Sequence, residues 1–481
     1  MTKRRVVAVD QSTSASKVFL LDECGEIVRR FSKAHQQTYP HPGWVEHDAE
    51  EIWRNVREGI ASVTQGLDRN VVCALGISNQ RETTVLWSRK TSKPLCPAVV
   101  WQDVRGAALV RELHKAAPWV KERTGLTLSA YYPAAKAAAV LREHPEFRGD
   151  DLCIGTVDAW LIFCLTEGRS FMTDVSNASR TQLMDLRTLQ WDAELCELFG
   201  IPLGALPRIV PSDACFGVTE TGIPIQAALG DSHAAFFAQG CDRRGTSKAT
   251  YGTGSSVMIH TGEAPVASSN GLSASVGYGC DGQTCYVLEG NVTCSGDTLV
   301  WLRDQCGLIS GAAEAESLAA ETTDPKGVYF VPAFSGLGAP YFDSGAKALL
   351  YGMNRGTTRA HIVRAALESI AFQNADILAA ARADLGEKPT ELRTDGGPSG
   401  DAVLMQLQAD LCDCEIRCAP EIELSALGAG RMAGRAAGIY PRNLSSMRKT
   451  GNCYLPIMDP AEREKKLSGW QDAVRRARSD V

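Results

Sequence analysis

Each half of this chain carries a similar device: a run that reads as a strand, a short tip of small residues, and a second strand-like run. Residues 5–10 lead through Gln11-Ser12-Thr13-Ser14-Ala15-Ser16 into residues 17–22, and residues 248–251 turn through Gly252-Thr253-Gly254 into residues 256–260. Such runs predict β-strands joined as hairpins. A phosphate group needs backbone N–H donors brought close, and turns rich in glycine and small hydroxyl residues supply them. The first tip also begins with Asp10 at a strand end, where a carboxylate can orient a hydrated Mg²⁺. Either tip taken singly reads as an ordinary hairpin. The pair, one per half, predicts a duplicated architecture.

The surrounding pattern alternates strands and helices, which places the chain in the α/β class. Asp48, with Glu51 three residues on, has the spacing of a capping box for a helix whose apolar face is Ile52, Trp53, Val56 and Ile60. Residues 71–77 predict a buried strand that stops at Ser78-Asn79-Gln80-Arg81-Glu82, with strand resuming over 83–87. Further on, Thr357 or Thr358 caps a long helix over 359–381, and Asp395-Gly396-Gly397 ends another strand. At 481 residues the chain exceeds one ordinary core, so two domains are expected, 1–240 and 241–481.

Composition removes several function classes. A formal net charge of -6 argues against nucleic acid held by nonspecific electrostatics. No run approaches the roughly 20 apolar residues of a membrane span, and the N-terminus passes from charge straight into a strand ending in Asp10. A cytoplasmic location without a membrane partner is therefore expected. The 16 cysteines are scattered, without paired zinc spacing, and read as reduced thiols. No Gly-x-Ser-x-Gly elbow of a serine hydrolase occurs.

Short motifs then narrow the reading. Asp10-Gln11-Ser12-Thr13-Ser14, Gly43-Trp44-Val45-Glu46-His47-Asp48, Asn79-Gln80-Arg81-Glu82-Thr83-Thr84 and Trp101-Gln102-Asp103 resemble the glycerol kinases of the FGGY carbohydrate kinase family. So do Gly155-Thr156-Val157-Asp158, Asn177-Ala178-Ser179-Arg180-Thr181, Thr250-Tyr251-Gly252-Thr253-Gly254 and Gly336-Leu337-Gly338-Ala339-Pro340-Tyr341. Gly352, His361 and Glu368 stand at the offsets of the family's second signature. The resemblance runs in order over nearly the whole chain. It implies two ribonuclease-H-like domains around a cleft, as in hexokinase, actin and the Hsp70 ATPase, with the polyol mainly on the first and ATP mainly on the second.

By family position the resemblance implies a polyol site of Arg81, Glu82, Trp101, Tyr131, Asp231 and Ser232, with Asp231 as the general base. For ATP it implies Asp10, Ser12, Thr13, Ser14, Thr253, Gly254, Gly296, Gly397 and Asp401, with Asp10 beside Mg²⁺. The reaction implied is phosphorylation of a small polyol, glycerol first. A homodimer or a homotetramer is consistent with the family, and no motif chooses between them. Without the resemblance, Asp231 reads as a loop-capping carboxylate and Arg81–Glu82 as a solvated surface pair. A nucleotide-binding sensor without catalysis is the rival from another class.

The chain departs from the family's pattern in places. Ser12 replaces a glycine, and a Cβ there disfavours φ > 0, so a differently shaped first tip is expected. Ser232 stands for Gln and Ser256 for Phe, exchanges that predict a roomier, more polar pocket and bring in a tetritol, pentitol or ketose as the alternative substrate. His233 is expected to hydrogen-bond its own loop. Asp401 replaces an Asn beside the adenine, and Ala139 stands where a Trp is usual. The loop Thr219-Glu220-Thr221-Gly222-Ile223-Pro224 is short, so no regulation by fructose 1,6-bisphosphate is expected.

Overall fold

A computed structural model describes residues 4–68, 70–322, 324–449 and 451–479. In the first half, Pro224–Gly230, Val72–Asn79 and Arg5–Gln11 run parallel at the centre of a six-stranded sheet. Ala15–Leu21 and Ile27–Ala34 extend it antiparallel on one side, and Gly217–Val218 closes the other. In the second half Thr246–Tyr251, Glu391–Gly396 and Glu415–Cys418 are the parallel strands of a seven-stranded sheet. Ser255–Gly262, Gln283–Val292 and Ser273–Cys280 add on antiparallel at one edge, and Cys453–Tyr454 at the other. From the second antiparallel strand across to the far edge, the two sheets repeat the same series of pairings. The duplication expected from the two hairpins is thus a duplication of topology.

Each sheet has its own core. Val7, Val9, Val18 and Leu20 pack with Ile52, Val56 and Ile60, while Val257, Ile259 and Leu288 pack with Leu367, Ile370 and Phe372. The chain does not simply finish one half before starting the other. Leu424–Ala436 returns to lie on the first sheet and on the helix Asp231–Gln239. Small residues make this approach close: a Cβ at Gly428 would meet the Ala234 carbonyl oxygen at 1.9 Å. A smaller five-stranded sheet, including Thr84–Ser88 and Ala98–Val99, sits on the first half and frames the segments carrying Arg81, Glu82 and Trp101.

Local expectations held with informative exceptions. Asp48 caps Ala49–Thr64, but it takes the Glu50 N–H, and Glu51 instead accepts from the Gln36 N–H, so the capping box is not formed. The strand expected to stop before Ser78 continues through Asn79, because both residues register against Asp10 and Gln11 of a neighbouring strand. Thr358, not Thr357, caps the long helix, which runs Arg359–Leu385 and is closed by Gly386 at φ 70. All 16 cysteines are free. Among the described residues no helix is long and apolar enough to cross a membrane. The Thr219–Pro224 segment is a tight turn, with the Thr219 N–H donating to the Ile223 carbonyl at 2.9 Å.

Candidate active site

Parallel strands deliver loops to one edge of a sheet, and the first sheet uses that edge for its acids. Asp10 lies at the end of Arg5–Gln11, and Asp231 is the first residue after Pro224–Gly230, opening the next helix. Asp10 is buried, and its carboxylate accepts from Ser78 Oγ at 3.1 Å. Burial, and then the nearby negative charge of Asp231, push its pKa up to about 7. Asp231 keeps a part-exposed side chain, with Oδ1 3.4 Å from Arg81 Nε. Desolvation raises its pKa above the ordinary carboxylate value, and Arg81 opposes the shift.

The polyol-site residues named from sequence come together around Arg81. Its guanidinium makes two hydrogen bonds to Glu289, at 3.0 and 2.9 Å. Glu82 is 1% exposed, holds φ 59, and accepts from Arg180 Nε at 2.7 Å. A non-glycine residue in that left-handed region costs about 1–3 kcal/mol, which places local backbone strain at the site. Trp101 and Tyr131 meet edge to face with centroids 5.9 Å apart. Trp101 Nε1 donates to Thr13 Oγ1 at 3.0 Å, tying this group to the first hairpin tip. The solvated-pair reading of Arg81 and Glu82 therefore fails: both side chains are buried and paired.

The first tip is closed by its own residues. The Ser12 N–H and Oγ both donate to the Ala15 carbonyl, at 2.9 and 3.0 Å, and Thr13 and Ser14 carbonyls accept from His35. Ser12 is not among the residues with positive φ, as the Cβ it carries favours. At the second tip, the Gly252 N–H donates to the Gly254 carbonyl at 2.8 Å, and Ser295 and Asp297 N–H groups converge on the Thr253 carbonyl. Gly296 lies against this turn: its N–H donates to Gly252 at 3.0 Å. A side chain on Gly296 would meet the Gly252 carbonyl oxygen at 2.6 Å.

Gly396 and Gly397 separate cleanly. Gly396 holds φ 92, and a Cβ there would strike the Tyr251 carbonyl oxygen at 1.9 Å, whereas a Cβ on Gly397 has nothing within 4 Å. Gly397 is thus open to a ligand, and Gly396 is required by the protein itself. Asp401 caps Ala402–Cys412, accepting the Leu404 N–H at 2.9 Å. A capping role of this kind suits Asp and Asn alike, which accounts for the exchange at this position.

Two expectations changed. His233 does not hydrogen-bond its loop: it is fully buried, and neither ring nitrogen has a hydrogen-bond partner among the described residues. Burial and the neighbouring Arg81 hold its pKa well below the ordinary value, so it stays neutral. Ser256 does not simply vacate the place of a Phe; its Oγ donates to Glu289 at 3.3 Å. Ser232 follows Asp231 in the helix, its N–H donating to Asp231 Oδ1 at 2.6 Å.

Sequence reasoning missed Glu289, Arg180 and Lys248 as members of the site. Glu289 is a carboxylate inside the apolar strand Gln283–Val292, and Lys248 an ammonium inside Thr246–Tyr251; both are buried. For Glu289, a lone charge within a largely apolar strand was the available signal; the strand around Lys248 is itself polar and offered none. Lys248 Nζ has no hydrogen-bond partner among the described residues, and burial lowers its pKa against the pull of Asp395.

Profiles for the two halves of one family match in order: the FGGY family of carbohydrate kinases, N-terminal domain over residues 5–238 and C-terminal domain over 247–437. A glycerol kinase from Shewanella sp. (strain ANA-3) is 42% identical over 496 aligned positions, spanning 100% of both chains. The structure of Plasmodium falciparum glycerol kinase with ADP superposes with a TM-score of 0.94 at 37% identity, covering 99% of this chain and 98% of the other. A xylulose kinase from Lactobacillus acidophilus shares the fold, with a TM-score of 0.88 at 22% identity over 98% and 97% of the two chains. The first two likenesses reach beyond fold to residues along the full length, and they agree with the paired hairpins and the Arg81–Asp231 cluster: this chain belongs to the FGGY family of carbohydrate kinases.

Proposed function

We propose that the chain transfers the γ-phosphoryl group of ATP to a terminal hydroxyl of glycerol, releasing ADP and sn-glycerol 3-phosphate. The observation that carries this reading is the meeting of Asp231, Arg81, Glu82, Trp101 and Tyr131 beside the first hairpin tip, joined to it by the Trp101–Thr13 hydrogen bond. The glycerol kinase relatives, aligned end to end, support the choice of polyol.

Residues 1–240 would hold the polyol and residues 241–481 most of the nucleotide. Arg81 donates to hydroxyls, Glu82 accepts from them, and the rings of Trp101 and Tyr131 cover the carbon chain. Asp231 accepts the proton as the hydroxyl oxygen bonds to the γ-phosphorus and the bond to the β-phosphate oxygen breaks. Its raised pKa makes it a better base than an ordinary carboxylate. Thr13, Ser14, Thr253 and Gly254 line the phosphates, Gly296 lets the backbone beside them pack closely on the Gly252 turn, and Gly397 leaves room for the nucleotide.

Asp10 fits a divalent cation: its carboxylate is buried beside a second acid, an excess of negative charge that burial makes costly. Mg²⁺ held there would neutralise charge on the phosphates. The protein would act in the cytoplasm on a dissolved substrate, without nucleic-acid or membrane partners.

Ser232 and Ser256, small hydroxyls flanking Asp231 and Glu289, favour as a second reading a longer polyol or a ketose. ADP release over glycerol, erythritol, threitol, xylitol, ribitol and ketopentoses decides between them. A four- or five-carbon substrate exceeding glycerol by orders of magnitude in kcat/KM would overturn the first choice. Asp231→Asn should lower kcat about 10²–10⁴-fold while ATP still binds; a sensor without catalysis would show no turnover to lose.

A further inference from the structure

Five of the charged groups around the polyol site form one alternating chain: Asp231, Arg81, Glu289, Arg180, Glu82. The links are 3.4 Å from Asp231 to Arg81, 2.9 Å from Arg81 to Glu289, 2.9 Å from Glu289 to Arg180 and 2.7 Å from Arg180 to Glu82. Four members come from the first half. Glu289 alone comes from the second, on a strand of the sheet that also carries the Gly252–Gly254 turn. Its side chain is fully buried, and among the described residues its polar contacts are to both arginines and to Ser256 Oγ at 3.3 Å.

We propose that Glu289 is a positioning residue of the polyol site, holding Arg81 directly and Glu82 through Arg180. The inference rests on the polyol-kinase reading above and deepens it. The paired hydrogen bonds fix the plane of the Arg81 guanidinium, a geometry that a single point contact would leave free to rotate. The same carboxylate holds Arg180, whose Nε sets the orientation of the Glu82 carboxylate. Without Glu289, Arg81 has Asp231 as its nearest remaining acid, and the arginine that should donate to substrate would instead close on the base. Because Glu289 rides on the second sheet, the polyol site takes its geometry from both halves of the molecule. Glu289 touches no reacting atom in this scheme.

The test is Glu289→Gln, with Glu289→Asp as the conservative variant and Arg180→Lys to disturb the relay to Glu82 while leaving the paired Arg81–Glu289 bonds in place. In Glu289→Gln the polyol KM should rise on the order of 10–100-fold, with the ATP KM within about twofold of wild type. Glu289→Asp should recover part of that loss, and Arg180→Lys should raise the polyol KM without changing the ATP KM. A merely structural role would lower the active fraction, and hence apparent kcat, and leave both KM values alone; that outcome overturns the proposal. Should Glu289→Gln not fold, wild-type polyol KM values in both Glu289→Asp and Arg180→Lys overturn it equally. A wild-type enzyme that prefers a pentitol refutes the glycerol reading, and the same KM comparison is then made on the pentitol. A wild type inactive on every polyol and ketose overturns both.

Discussion

Adjacent glycines at 396 and 397 allow the needs of the fold and the needs of the ligand to be separated by one methyl group each. In Gly396→Ala the new Cβ sits at φ 92 and meets the Tyr251 carbonyl oxygen at 1.9 Å, with the Tyr251 carbonyl carbon and nitrogen at 2.8 and 3.0 Å. All three are backbone atoms of the strand leading into the second hairpin, so no side-chain rotation relieves the clash. With φ 92 and ψ 170 the residue sits in a region open essentially to glycine, which costs any other residue about 1–3 kcal/mol. Forced backbone displacement adds about 1–3 kcal/mol. A loss of about 2–6 kcal/mol is expected, together with a raised ATP KM as the hairpin shifts. Gly397→Ala meets nothing within 4 Å and does not occupy the left-handed region, so its stability should stay within about 0.5 kcal/mol of wild type. If the nucleotide lies against that open face, the methyl group should raise the ATP KM about tenfold, equivalent to about 1.4 kcal/mol. Urea unfolding and ATP titration at saturating polyol measure both quantities. A fully stable Gly396→Ala would refute the packing argument, and an unchanged ATP KM in Gly397→Ala would remove the nucleotide from that face.

Two further perturbations follow from single contacts. Trp101→Phe removes the 3.0 Å hydrogen bond to Thr13 Oγ1, worth about 1 kcal/mol, and should raise the KM values of both polyol and ATP severalfold; a change confined to the polyol would show that this bond does not couple the sites. Asp376 is buried and its pKa is raised to about 7 by burial, opposed by donors from Trp470, Tyr341 and Gln471. The folded state therefore binds more protons than the unfolded state between the ordinary carboxyl value of 3.8 and about 7, and stability should be greatest below that interval and decline as pH rises through it. The decline from this group is at most about 4 kcal/mol, and Asp376→Asn should flatten it; parallel stability–pH curves for variant and wild type would refute the assignment.

Much of the local architecture was legible in the sequence because it depends on neighbours a few residues apart. Asp48 and one of Thr357 and Thr358 were readable as helix caps, and the two hairpin tips as turns, since capping and turn geometry are set within one helical or hairpin turn. Arg81, Glu82, Trp101, Tyr131 and Asp231 were named from motifs, and they do converge. What those motifs omit is the partner that each charge requires once water is excluded. Arg81 and Glu289 are 208 positions apart, and Arg180 and Glu82 98 apart. No local pattern pairs them.

The same division of labour holds for the backbone. Sequence alone determined that the chain carries two hairpin-led α/β halves and a set of polar residues suited to phosphate and polyol. Tertiary structure decided that Leu424–Ala436 crosses back to the first sheet, that Gly396 rather than Gly397 is demanded by packing, and that a carboxylate of the second half completes the charge balance of the first. The physical reason is desolvation: a buried charge or a crowded Cβ has a cost only where distant segments meet, and that meeting is a property of the folded chain.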